Sequence, residues 1–140
     1  MTHALKIQEG GSHYKNMGIQ PIEFCYVNRY DPTAFSVLKY VSRHRVKNGR
    51  EDLLKGRHFI QLRRDLRRDN PSLFGFNAID VIPMSDYIES NNLFGHEGAI
   101  LADLHLWALG QTQLPDATVA DFLIQKFDHL IDLTYPTQKE

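Results

Sequence analysis

The chain has 140 residues, 42% of them hydrophobic, with a formal net charge of -1 and one cysteine. That length suits one compact domain, or a domain with a small helical extension, and the lone Cys25 excludes an internal disulfide and points to a reducing compartment. No apolar run approaches the ~20 residues of a membrane span, and the opening Met1-Thr-His-Ala-Leu-Lys6 lacks an apolar leader core, so a cytoplasmic protein with no membrane partner is expected.

Residues 1 to 20 are polar. Within them Gly10-Gly-Ser-His-Tyr-Lys15 reads either as a loop bringing backbone N-H groups close to a ligand or as an arm with two permissive hinges. Pro21 suits the first turn of a short helix from Ile22 to Arg29, apolar at Ile22, Phe24, Cys25 and Val27. Cys25 in this run reads as buried packing rather than a nucleophile. Asp31-Pro32 supplies an N-cap and a first-turn proline for a second helix, expected from Pro32 to Lys47. Phe35, Leu38, Val41 and Val46 form its core stripe, and Lys39, Arg43 and Lys47 recur at i, i+4 and i+8 on another face. Three cations one turn apart repel one another unless an anion or a carboxylate lies opposite, which is the physical reason to look for a ligand there.

Asn48-Gly49 has the form of a left-handed C-cap. Glu51-Asp52 then open a third helix at the positive end of its dipole, and the helix runs through Leu53, Leu54, Phe59, Ile60, Leu62 and Leu66 to Arg68. So tight a turn makes an antiparallel hairpin, in which Arg43, Lys47 and Arg50 face Glu51, Lys55 and His58. The breaker run Asn70-Pro71-Ser-Leu-Phe-Gly75 marks a boundary. It divides a phosphate-binding helical domain, residues 1-69, from a C-terminal helical region, residues 70-140. In that second region helices are expected at Met84 to Ser90, His96 to Leu109 and from Pro115 onward, with Val119, Phe122, Leu123, Phe127, Leu130 and Ile131 inward. Trp107, Tyr87 and Phe94 are assigned to the core. Only Ala78 to Ile82 is ambiguous between strand and loop, so the fold class is all-α, built on the hairpin.

Charge is unevenly spread. Residues 39-68 hold eleven Lys and Arg against three acids, a net of +8, whereas residues 69-140 hold two lysines against eleven acids, a net of -9. Such a split points to an anionic partner at one pole, or to subunits meeting basic face to acidic face, and a homo-oligomer is expected. Guanidinium forks and ammonium groups suit phosphate oxygens, with which they make charge-assisted hydrogen bonds. The basic tail Arg63-Arg-Asp-Leu-Arg-Arg68 reads instead as a solvated face or subunit contact, and nucleic acid is not the expected partner.

The chain contains no G-x-x-x-x-G-K-[ST] loop, no G-x-G-x-x-G and no H-E-x-x-H. His105 and His129 read as packing or surface residues rather than metal ligands. Glu51 and Asp52 could hold Mg²⁺ together with substrate phosphates, or could simply neutralise the surrounding arginines at a helix N-terminus.

Three motifs in order, Gly10-Gly-Ser-His-Tyr-Lys15, Ile19-Gln-Pro-Ile-Glu-Phe24 and Lys39 through Lys55 with His58, resemble a phage-encoded family of small nucleotide kinases without a P-loop, long catalogued as a domain of unknown function. The resemblance covers roughly residues 10 to 66, and the composite is specific where each motif alone is not. It implies a deoxynucleoside monophosphate kinase working in the host cytoplasm, with a nucleoside triphosphate as phosphate donor and dTMP or dGMP as acceptor. Under it Arg43, Lys47, Arg50 and Lys55 clamp the phosphates, His13 and Lys15 reach in from the glycine loop, and His58 is a further donor. Glu51 or Asp52 binds a metal or orients Arg50, Lys39 and His44 join the substrate contacts, and Tyr14 either stacks on a base or packs. A nucleotide-sequestering protein without catalysis and a nucleic-acid-binding helical module are the competing readings. An all-α pyrophosphohydrolase would need paired E-x-x-E and E-x-x-D helices, which are not found.

Overall fold

A computed structural model describes residues 3-8, 17-73 and 77-137. Its α-helices start where the sequence places caps and prolines. They are α1 (Pro21–Asn28), α2 (Pro32–Arg43), α3 (Arg50–Asp69), α4 (Met84–Ser90), α5 (His96–Ala108) and α6 (Asp116–Thr134), and the described residues include no strand. Asp31 caps α2, its carboxylate accepting from the Thr33 and Ala34 N-H groups at 2.9 and 3.1 Å, which satisfies donors the first turn leaves orphaned. The segment around Ala78 to Ile82 is extended but pairs with no strand. Buried Asn28 holds it by accepting from the Val81 and Ile82 N-H groups and donating to the Ile82 carbonyl.

The central unit is the antiparallel pair α2 and α3. Helix α6 packs along α3, α5 packs on α2 and α6, and α1 and α4 flank α2 and α5. Gly56 permits the close approach of α3: a Cβ there would lie 2.9 Å from the Phe127 ring and 3.5 Å from the Tyr40 Cβ. One cluster of buried side chains joins Phe24, Leu38, Val41, Leu53 and Ile60 to Trp107, Leu123 and Phe127, so the core is continuous across residues 69-70. Cys25 is buried, and burial pushes its thiol pKa up, away from a reactive thiolate.

Several expectations about the fold need correction. Helix α2 ends at Arg43 rather than Lys47, and a 3₁₀ turn, His44–Val46, follows it. That change of pitch carries Val46 out of the core stripe, where it is 68% exposed, and takes Lys47 off the face shared by Lys39 and Arg43. Gly49 has φ +57° and ψ -125°, a positive-φ entry to α3 rather than a left-handed cap on α2. Phe94 and Phe122 are more than half exposed, unlike Tyr87 and Trp107, which are buried as expected.

The charge split is resolved within the chain. Arg57 Nε donates to Asp128 Oδ1 at 2.8 Å and Arg67 Nε to Asp116 Oδ2 at 2.9 Å, both from α3 to α6. Arg45 forks onto Glu97 of α5 at 3.0 and 3.4 Å. The reading of Arg63 to Arg68 as a solvated face or subunit contact is therefore overturned at Arg63, which is 3% exposed. It is paired with Asp31, and its guanidinium carbon lies 4.8 Å from the Trp107 ring centre. Burial opposes the Asp31 carboxylate, but Arg63, the Thr33 hydroxyl and the Ala34 N-H outweigh it and hold its pKa below the usual value.

Candidate functional site

The hairpin places cations around one aromatic ring. Helix α2 contributes Lys39, Tyr40 and Arg43, and α3 contributes Glu51, Lys55 and Phe59 at i, i+4 and i+8. Lys39 Nζ lies 4.6 Å from the centre of the half-buried Tyr40 ring, Arg43 Cζ 4.8 Å and Lys55 Nζ 5.9 Å. Phe59 stacks on the same ring at 6.0 Å. The electron-rich ring face offsets part of the mutual repulsion of three positive groups, and leaves them gathered at the surface.

Arg43 is fixed from behind. Its Nε and Nη2 donate to the two Asp52 oxygens at 3.2 and 3.1 Å, and the Asn48 N-H donates to Asp52 Oδ2 at 3.2 Å. Asp52 is fully buried. Both of its oxygens are thus occupied, so a metal ion at Asp52 would have to displace Arg43, and the residue it orients is Arg43 rather than Arg50. Glu51 is exposed and pairs with Lys55 at 3.3 Å, leaving it the one carboxylate of the two that can turn toward a bound metal ion.

Of the other residues selected from sequence, Lys47 and Arg50 are exposed on either side of the bend, at the rim of the cluster. His58 is exposed and makes an edge contact with Phe59. His13, Tyr14 and Lys15 lie outside the described residues. His44 does not join the cluster: the 3₁₀ turn points it inward, 1% exposed, with Nδ1 2.8 Å from the Tyr135 hydroxyl and Nε2 3.7 Å from Glu97 Oε2. Burial alone would raise the Glu97 carboxyl, but His44 and Arg45 outweigh it and hold its pKa at about 2. His44, Glu97, Arg45 and Tyr135 thereby tie the bend to α5 and the end of α6.

Sequence reading passed over two features. One is Tyr40, whose only signal is its place between Lys39 and Arg43, one and three residues away, with Lys55 one helix across. The other is a cleft of about 200 Å³ between the start of α1 and α2, lined by Gln20, Pro21, Ile22, Phe35 and Lys39. Lys39 belongs to both, its ammonium lying 5.7 Å from the Phe35 ring centre on one side and against Tyr40 on the other.

Residues 8-61 match the model of a family described only as being of unknown function, DUF3310. The matched stretch takes in α1, α2, the bend and more than half of α3, and so contains the whole cationic cluster and the cleft. No curated protein and no solved structure matches the chain.

Proposed function

We propose that the protein is a deoxynucleoside monophosphate kinase that moves a phosphoryl group from a nucleoside triphosphate to an acceptor such as dTMP or dGMP. The observation that carries this reading is the gathering of Lys39, Arg43 and Lys55 on Tyr40, while Arg57, Arg63 and Arg67 of the same hairpin are matched to carboxylates. Phosphoryl transfer demands alignment and neutralisation of phosphate charge more than covalent chemistry. A monophosphate acceptor attacks through an oxyanion, so no general base is required. In this reading Arg43, rigid on Asp52, holds a phosphate in register. Lys39 and Lys55 close on its other oxygens, and Lys47 and Arg50 meet the donor at the rim. Where Mg²⁺ takes part, Glu51 and the substrate phosphates supply its oxygens.

Binding without transfer is the second reading, and the occupation of Asp52 by Arg43 favours it, because it removes one of two carboxylates from metal binding. A nucleic-acid module loses its support, since the tail of α3 offers Arg63 and Arg67 to carboxylates rather than to an extended phosphate backbone. Incubation with dTMP or dGMP and a series of triphosphates, with and without Mg²⁺, followed by chromatography, tests the proposal. We expect the diphosphate to form, and to fall at least tenfold in a Lys39→Ala/Lys55→Ala double variant, about the cost of two charge-assisted phosphate contacts. Tight monophosphate binding with no diphosphate overturns the kinase reading in favour of sequestration.

A further inference from the structure

We propose that the cleft beside Lys39 is the nucleobase subsite of the same ligand, an inference that rests on the nucleotide reading above. The walls are the Pro21 ring, the Ile22 side chain and the Phe35 ring, with polar groups only at Gln20 and Lys39. Apolar walls with a few polar groups are what a site for a planar heteroaromatic ring requires. At about 200 Å³ the cleft is smaller than the ~300-1,000 Å³ of sites that enclose whole drug-sized ligands, so it accepts a base and leaves the sugar and phosphate outside.

Lys39 fixes the direction. Its ammonium stands between the Phe35 ring of the cleft and the Tyr40 ring of the cluster, so a ligand seated in the cleft emerges toward Arg43 and Lys55. A second groove, lined by Ile22, Cys25, Tyr26, Tyr30, Pro32 and Phe35, shares two of these walls but has no cationic side chain, and so offers no continuation to a phosphate. Within the base cleft, buried Gln20 donates its amide nitrogen to the Leu5 carbonyl. The group it presents to a base edge is therefore the acceptor oxygen, complementary to a ring or exocyclic N-H.

The test compares the full chain with dTMP, dGMP, 2-deoxyribose 5-phosphate and inorganic phosphate by titration calorimetry. Base stacking on an aromatic wall gives about tenfold or more in affinity, so we expect both mononucleotides to bind at least that much more tightly than deoxyribose 5-phosphate. Ile22→Trp fills the cleft from a position that is 56% exposed, and Phe35→Leu removes the aromatic wall while keeping its apolar bulk. Both variants should bring mononucleotide affinity down to that of deoxyribose 5-phosphate and leave the latter unchanged. Equal affinity for mononucleotide and base-free sugar phosphate in the parent protein, or an Ile22→Trp variant with undiminished mononucleotide affinity, overturns the subsite while the phosphate site stands. Failure of all four probes to bind overturns the nucleotide reading itself.

Discussion

The two ends of the α2-α3 hairpin are equally rich in cations and treat them in opposite ways. At the end where α2 begins, Arg63 is buried against Asp31 and Trp107, and Arg57 and Arg67 are drawn onto Asp128 and Asp116 of α6. At the bend, Arg43 has a buried carboxylate behind it, while Lys39 and Lys55 rest on the Tyr40 ring and Lys47 and Arg50 are exposed. The difference lies in the supply of carboxylates. Helix α6 delivers acids along most of α3, but what reaches the bend is Glu97, and it is engaged by Arg45 and His44. A basic segment is thus a structural brace at one end and a candidate anion site at the other, and composition alone does not separate the two.

The largest expected effect breaks the braced end. Asp31→Ala leaves the Arg63 guanidinium buried without its partner and removes the N-cap of α2, so unfolding free energy should drop by about 3-5 kcal/mol in urea titration. Nucleotide affinity of the folded fraction should stay as it was. A loss below 1 kcal/mol would show that Arg63 is not the brace described. A smaller effect probes the bend from beneath through pH. The folded pKa of Glu97 lies at about 2, below its ordinary 4.5, so the stabilisation it gives is complete above about pH 4.5 and is lost as pH falls toward 2. Because Arg45 is 57% exposed, solvent screening keeps this to on the order of 2 kcal/mol. Glu97→Gln should flatten the acid limb of stability against pH in that window, and an unchanged limb would assign the acid loss to other carboxylates. The smallest effects sharpen the comparison directly. Lys39→Ala or Lys55→Ala should each weaken mononucleotide binding about tenfold with stability within ~0.5 kcal/mol of the parent. Arg57→Ala should cost stability about 0.2-1 kcal/mol, as exposed pairs do, and leave binding intact. Equal losses of affinity at Arg57 and Lys55 would mean that the two ends are not distinct.

Much of the fold was legible from local rules. Asp31-Pro32 starts α2, Pro21 starts α1, and the apolar periodicity of α3 and α6 places Leu53, Ile60, Leu123 and Phe127 in the core. The hairpin and the importance of Arg43 and Lys55 were legible too, because the bend is encoded by adjacent residues. Three features were not. Val46 and Lys47 leave the helical face because the 3₁₀ turn is set by His44 reaching Tyr135, ninety-one residues away. Phe94 and Phe122 carry apolar side chains at helical spacing on surfaces that no other described element covers. Asp52 looked equivalent to Glu51, its neighbour, yet the ~100° between consecutive helical residues buries one against Arg43 and exposes the other beside Lys55.

The sequence by itself determined that this chain is helical, where the hairpin bends, and that the bend carries a dense set of phosphate-matched donors, because caps, periodicity and side-chain chemistry act over a few residues. Only the tertiary structure decided which of the basic residues are braces and which are gathered on Tyr40, and that Lys39 joins that cluster to an apolar cleft. A cation's role depends on the carboxylate or ring that packing brings against it, and those partners come from helices far along the chain.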